Sequence, residues 1–158
     1  MQPVKLDDTD RKILELLQKD ARLTIKEMAA QLQLSSTPVF ERIKKLEKAG
    51  IIDKYVALVN ADLLGRKVNA FVHVSLKKHD NKSVKAFEQT INEFSEIMEC
   101  HHVSGNHDFL LKVLVRDMEH YHQFLRHQLS VLPNIGKTET LFSLSVRKST
   151  TVVAIGEE

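Results

Sequence analysis

With 158 residues, 42% of them hydrophobic and 28% charged, the chain has room for one medium domain or two small ones, and its composition excludes disordered and fibrous classes. Its 23 basic and 21 acidic side chains leave a net charge of only +2, so any nucleic-acid binding must come from local placement rather than bulk charge. The single cysteine, Cys100, excludes an intrachain disulfide; no apolar run reaches the ~18 residues of a membrane span; and MQPVKLDDTDRK lacks a signal core, so a cytoplasmic protein is expected.

Asp7 or Asp8 is placed to cap a first helix, in which Ile13, Leu14, Leu16 and Leu17 recur at helical spacing. Thr24 followed by Glu27 reads as a capping box opening a second helix to about Leu32, with Ile25, Met28, Ala29 and Leu32 inward. A turn over 31–34 leads to Ser35, the expected cap of a third helix that tolerates Pro38 in its first turn. Val39, Ile43 and Leu46 fall inward at i, i+4 and i+7, and Gly50 is placed to end the helix in the left-handed conformation. From Ser35 to Lys54 five basic residues stand against three acids, a modest excess concentrated on one helix. Ile51–Val59 is β-prone and suits a short wing or connecting strand. These features predict a helix-turn-helix domain over 1–54 and a hinge over 55–66.

Over 67–158 the pattern changes. Val68–Leu76 alternates as a strand; Ser83 is expected to cap a helix running to about Phe94; Ile97–Val103 and Asp108–Arg116 read as strands around the turn 104–107. A helix from Asp117 or Met118 carries Tyr121, Phe124, Leu125 and Leu129 until Pro133, and Thr138–Val146 is the fourth expected strand. The order β-α-β-β-α-β predicts a ferredoxin-like α+β domain with helices on one face of a four-stranded antiparallel sheet. Phe71, Leu110, Leu114 and Leu141 fall on the other face, where nothing left in the chain covers them, so a homodimer through the sheet is expected. Thr150–Ile155 is strand-like without a slot in its own sheet and is expected to add to a partner's edge.

The stretches LDDTDRKILELLQKDARLT, LSSTPVFERIKKLEKAGII and VSGNHDFLLKV, in this order, resemble the Lrp/AsnC (feast/famine) transcription regulators from Leu6 to about Lys148. The resemblance implies a winged-helix-type DNA-binding domain followed by an amino-acid-binding regulatory domain of the RAM, ACT-like kind. It implies dimers that assemble into octamers, association with the nucleoid, and no enzymatic activity. It also implies effector binding between dimers, near the loop matching Ser104–Asp108 and the strand start matching Thr138 and Thr140. The family usually has glycine where Gln33 stands, which implies strain or an altered turn here.

In helix-turn-helix proteins the second helix presents its N-terminal residues to base edges in the major groove. Ser36, Thr37 and Phe40 are the candidates for that role, with the cap residue Ser35 counted in the same DNA-binding set; Lys44, Lys45 and Lys48 suit phosphates. Glu41 can accept from a cytosine amino group or pair with a neighbouring lysine, and Arg42 can reach phosphate or brace the fold. A dimer would present two such helices to a palindromic operator on double-stranded DNA.

The residues alone leave the loop Ser104, Gly105, Asn106, His107 and Asp108 open between a plain hairpin turn and a ligand loop. With the resemblance it becomes a site for a small amino acid: backbone N–H groups for the carboxylate, Asp108 for the ammonium, and hydroxyls from Thr138 and Thr140. His107 inside the loop would make that binding pH-sensitive. All eight histidines lie between His73 and His127, yet none shows metal-ligand spacing, so neither a metal nor a cofactor is expected. Cys100 reads as a core residue. Two other classes fit parts of the sequence: an amino-acid-binding regulator acting through protein contacts, and a histidine-dependent metal sensor. DNA binding that weakens with salt separates the first from a DNA reader, and zinc dialysis tests the second.

Overall fold

The computed structural model describes residues 5–156, which form two compact units. The first contains the described residues up to Leu58 and those from Lys148 onward; the second runs from Val59 to Arg147. Residues 1–4 and 157–158 of the expected domain ranges lie outside the described residues.

The first unit is built from α1 (Asp8–Lys19), α2 (Ile25–Leu32) and α3 (Ser36–Lys48). Asp7 caps α1: the Asp10 N–H donates to its carboxylate at 2.8 Å, and the Asp10 carboxylate accepts the Asp7 N–H at 3.4 Å. The Thr24–Glu27 box opens α2 in the same reciprocal way. Ser35 holds the N-cap position of α3, although its hydroxyl makes no capping hydrogen bond. Gln33 closes α2 at φ 56° and ψ 42°, with the Leu34 N–H donating to the Ala29 carbonyl at 2.9 Å. That left-handed position favours glycine, and a side chain there costs about 1 kcal/mol. Gly50 closes α3 similarly, at φ 71°, with Ile51 N–H bonded to the Leu46 carbonyl at 3.0 Å. Ile13, Leu14, Met28, Ala29, Val39, Ile43 and Leu46 form the buried core between the three helices.

Two extended segments differ from the sequence expectation. Ile51–Val59 and Thr150–Ile155 take part in no β-pairing among the described residues. The tail from Lys148 onward groups with the first unit, while the expected range of the second domain runs over 67–158. The cause is local. The Gln18 side-chain amide donates to the Val153 carbonyl at 3.1 Å and accepts the Val153 N–H at 2.6 Å, as a neighbouring strand would, while Ile155 packs against the core of the first unit.

The second unit is an antiparallel sheet of β1 (Val68–Leu76), β2 (Ile97–His102), β3 (Phe109–Val115) and β4 (Ile135–Phe142) in the order β2-β3-β1-β4. One face packs Ala70, Val72, Val74, Leu111 and Val113 against α4 (Asn81–Ile91) and α5 (Met118–Phe124). This is the expected ferredoxin-like arrangement. Its element ends differ in three places. Asp80, not Ser83, caps α4, because the Ser83 N–H donates to the Asp80 carboxylate at 3.0 Å, and the helix stops at Ile91 rather than Phe94. After Phe124 the second helix loosens into a π-helical turn, Leu125–Leu129. β4 starts three residues early and ends before Val146: Asn134 turns the chain at φ 71°, and Gly136 lies so close to the Ser75 carbonyl that a Cβ would sit 2.9 Å from it. Cys100 is exposed on the edge strand β2, not in the core. Desolvation by its surroundings, with the Glu88 carboxylate nearby, pushes the thiol up to about 11, so it stays protonated at neutral pH.

Candidate nucleic-acid interface and ligand loop

The inward stripe Val39, Ile43 and Leu46 fixes which side of α3 faces out. Ser35, Ser36, Thr37, Phe40, Glu41, Lys44, Lys45 and Lys48 are all exposed. Phe40 is 46% exposed, a large aromatic kept in water on the first turns of a helix whose apolar stripe lies elsewhere. The Lys44 ammonium lies 5.8 Å from the Phe40 ring centre and 2.7 Å from Glu47, whose carboxyl is held below its ordinary value by that contact. Glu41 makes no ion pair among the described residues. The α3 surface therefore offers hydroxyls and an aromatic ring near its start and ammonium groups further along, which suits base edges and phosphates respectively.

Arg42 is placed differently. Its guanidinium contacts Asp7 at 2.5 Å and Asp10 at 2.7 Å, and Lys45 reaches the other oxygen of Asp10 at 3.4 Å. Of the two roles that the sequence allowed Arg42, the structure shows the brace. Asp10 is fully buried. The sequence carries only a faint signal for this: the three-residue spacing of Asp10 from Asp7, together with two cations on α3.

The loop 104–108 joins β2 to β3. Ser104, Gly105 and Asn106 are exposed, and Gly105 has φ 123°, which only glycine adopts readily. Asp108 is engaged by the fold: its carboxylate accepts the Leu76 N–H at 2.7 Å and meets the His79 ring at 3.0 Å. His107 contacts the Ser75 hydroxyl at 3.1 Å, its ring centre lies 4.7 Å from that of His73, and Glu139 is 3.9 Å away. These groups belong to the uncovered sheet face. Thr138 and Thr140 pair in register with the buried Val74 and Val72, so they fall on the helix-covered face, where Thr140 hydrogen-bonds the Tyr121 hydroxyl. A single chain thus does not bring the two threonines together with His107. The sequence marks Tyr121 only as a residue of its helix; the structure buries its ring and brings its hydroxyl to Thr140. Its phenol is pushed up by desolvation.

Among the described residues no three His, Cys, Asp or Glu side chains converge as a metal site. Among the described residues no helix is long and apolar enough to cross a membrane. A concavity of about 1020 Å³ lies within the first unit between the end of α1, residues 51–58 and the tail; none of its lining residues comes from α3.

Two family models match: winged helix-turn-helix DNA-binding over residues 6–53 and the Lrp/AsnC ligand binding domain over residues 69–153. The chain belongs to the Lrp/AsnC family of transcription regulators. It is 34% identical to the transcriptional regulator AzlB of Bacillus subtilis (strain 168) over 154 residues, 98% of either chain. It is 39% identical to the leucine-responsive regulatory protein of Escherichia coli (strain K12) over 135 residues, 85% of this chain and 82% of that one. A transcriptional regulator of Neisseria meningitidis, solved as its L-Met complex, superposes with a TM-score of 0.90 at 31% identity, covering 95% of this chain and 97% of the other. The helix-turn-helix followed by a ligand-binding α+β sheet is therefore a family architecture, and α3 stands where its DNA-reading helix is expected.

Proposed function

We propose that the chain is a cytoplasmic, nucleoid-associated regulator that reads a palindromic operator with α3 and adjusts that reading when a small amino acid binds. The observation that carries the reading is the outer surface of α3: Ser36, Thr37 and Phe40 exposed near its start, with Lys44 and Lys48 beyond. Copies pair through the uncovered sheet face, where Phe71, Leu110 and Leu114 are only half-buried and Leu141 is 53% exposed. Pairing doubles the reading helix and sets half-site spacing; octamers are the larger assembly. The effector binds at the 104–108 loop, with Thr138 and Thr140 supplied across a contact between copies, since one chain holds the two groups on opposite sheet faces. The L-Met complex of the Neisseria relative supports an amino acid as the ligand class. Such a ligand shifts DNA binding only if it favours one assembly over another. No cofactor or catalytic group enters this scheme.

Two measurements test it. DNA affinity should fall steeply and log-linearly with salt, since phosphate contacts release counterions; salt-insensitive binding would contradict it. In a thermal-shift screen of the twenty amino acids, at least one should raise the melting temperature in proportion to the logarithm of its concentration. A flat response to all twenty would remove the effector from the scheme.

A further inference from the structure

We propose that Asp10 is a positioning residue for DNA reading: it sets the roll of α3 and holds two of that helix's cations away from the DNA. Among the described residues it is the one charged side chain fully buried in the first unit. One carboxylate oxygen contacts Arg42 at 2.7 Å; the other contacts Lys45 at 3.4 Å and also accepts the Asp7 N–H. Arg42 and Lys45 are three residues apart, so they mark two points on one flank of α3. Asp7 closes the network by bonding Arg42 with one oxygen and the Asp10 N–H with the other. The N-terminal capping box of α1 therefore also serves as the anchor of the recognition helix.

The apolar contacts cannot do this alone. Val39, Ile43 and Leu46 against Ile13, Leu14 and Met28 hold the helices together, but aliphatic packing is not directional. A roll of roughly 20° on a helix of about 5 Å outer radius carries a side-chain tip through roughly 2 Å. That displacement leaves the packing serviceable and breaks a hydrogen bond to a base edge. A buried ion pair held at two points supplies the directionality, the role best attested for buried charges. The same contacts give Arg42 and Lys45 an internal anion, whereas Lys44 pairs only with Glu47 on its own helix and Lys48 with no acid among the described residues, so these two are the cations left to meet phosphates.

The inference rests on the reading that α3 meets the DNA, and the test separates the two. The probes are a duplex selected from random sequence by the wild-type chain and a random duplex of equal length, bound by the full chain over a salt series. The variant is Asp10→Asn, which keeps an acceptor for the Asp7 N–H and removes the charge. Specific over non-specific affinity should fall at least about tenfold, the discrimination one good base contact carries. Non-specific affinity should hold or rise, with a salt slope steeper by up to about 1 as Lys45 becomes available. A role in stability alone would lower both affinities together. Should Asp10→Asn fail to fold, the double variant Asp10→Leu/Arg42→Met replaces the pair by apolar volume, a change that is often neutral or stabilising, and the ratio is read on it. A folded variant with unchanged ratio overturns the proposal, and so does failure of both variants to fold. Phe40→Ala runs in parallel: if it too leaves the ratio unchanged, the reading of α3 itself fails; if it alone lowers the ratio, only the role of Asp10 does.

Discussion

The outer surface of α3 and the loop 104–108 are both polar, yet they use their polar groups differently. On α3 Ser36, Thr37 and Phe40 contribute little to the fold and face solvent. In the loop Asp108 and His107 are already bonded within the unit, and the threonines expected to join them lie on the other sheet face. On the proposed reading the helix is complete in one chain and the ligand site is not. A surface that meets a partner can keep its hydroxyls and ring clear of the fold, whereas a site shared between copies first has to hold its own half in shape.

The contrast can be broken by mutation. The largest effect is expected at Asp108→Ala, which leaves the buried Leu76 N–H without its acceptor and should destabilise the second unit by about 1–3 kcal/mol in urea unfolding. A change inside 0.5 kcal/mol would mean the loop is as free as α3. On α3 the double change Lys44→Ala/Lys48→Ala should leave stability within about 0.5 kcal/mol while flattening the salt slope of DNA binding by about 2, at roughly 0.9 for each phosphate no longer neutralised. Loss of stability with an intact slope would reverse the roles assigned to the two surfaces. Gln33→Gly, at φ 56° in the turn that sets α2 against α3, should raise the melting midpoint by an amount equivalent to about 0.5–1 kcal/mol. A decrease would show that the Gln33 side chain contributes more than its backbone costs.

The smallest effect concerns acid. The Asp10 N–H, and after it Arg42, hold the Asp7 carboxyl below its ordinary value of 3.8. A carboxyl whose value is lower folded than unfolded adds stability above the unfolded value and loses it as pH falls through the folded one. Melting curves of wild type and Asp7→Asn should therefore differ above pH 4 and converge in stronger acid. Curves that stay apart at the acid end would assign the difference to capping geometry rather than charge.

Much of this was legible in the residues. The Thr24–Glu27 box, the Gly50 stop and the inward stripe of α3 are local, and local rules found them. The alternation of β1 and β3 gave the covered and uncovered sheet faces because strand periodicity is insensitive to what lies further along the chain. What escaped depends on distant partners. Thr150–Val153 is β-branched and reads as a strand, but its backbone meets the Gln18 side chain, 135 residues away. Asp10 reads as an acid at a helix start, and only the arrival of Arg42 and Lys45 buries it. Thr138 and Thr140 read as hydroxyls near the loop, and only the register with Val74 and Val72 shows which face they take.

The claim that α3 is the DNA-reading surface is tested most directly by lysine acetylation of the full chain with and without the selected duplex, read by mass spectrometry. Lys44 and Lys48 should be protected in the complex, with little change at Lys82 and Lys85 on α4. Unchanged reactivity at Lys44 and Lys48, with protection centred on α4, would contradict it.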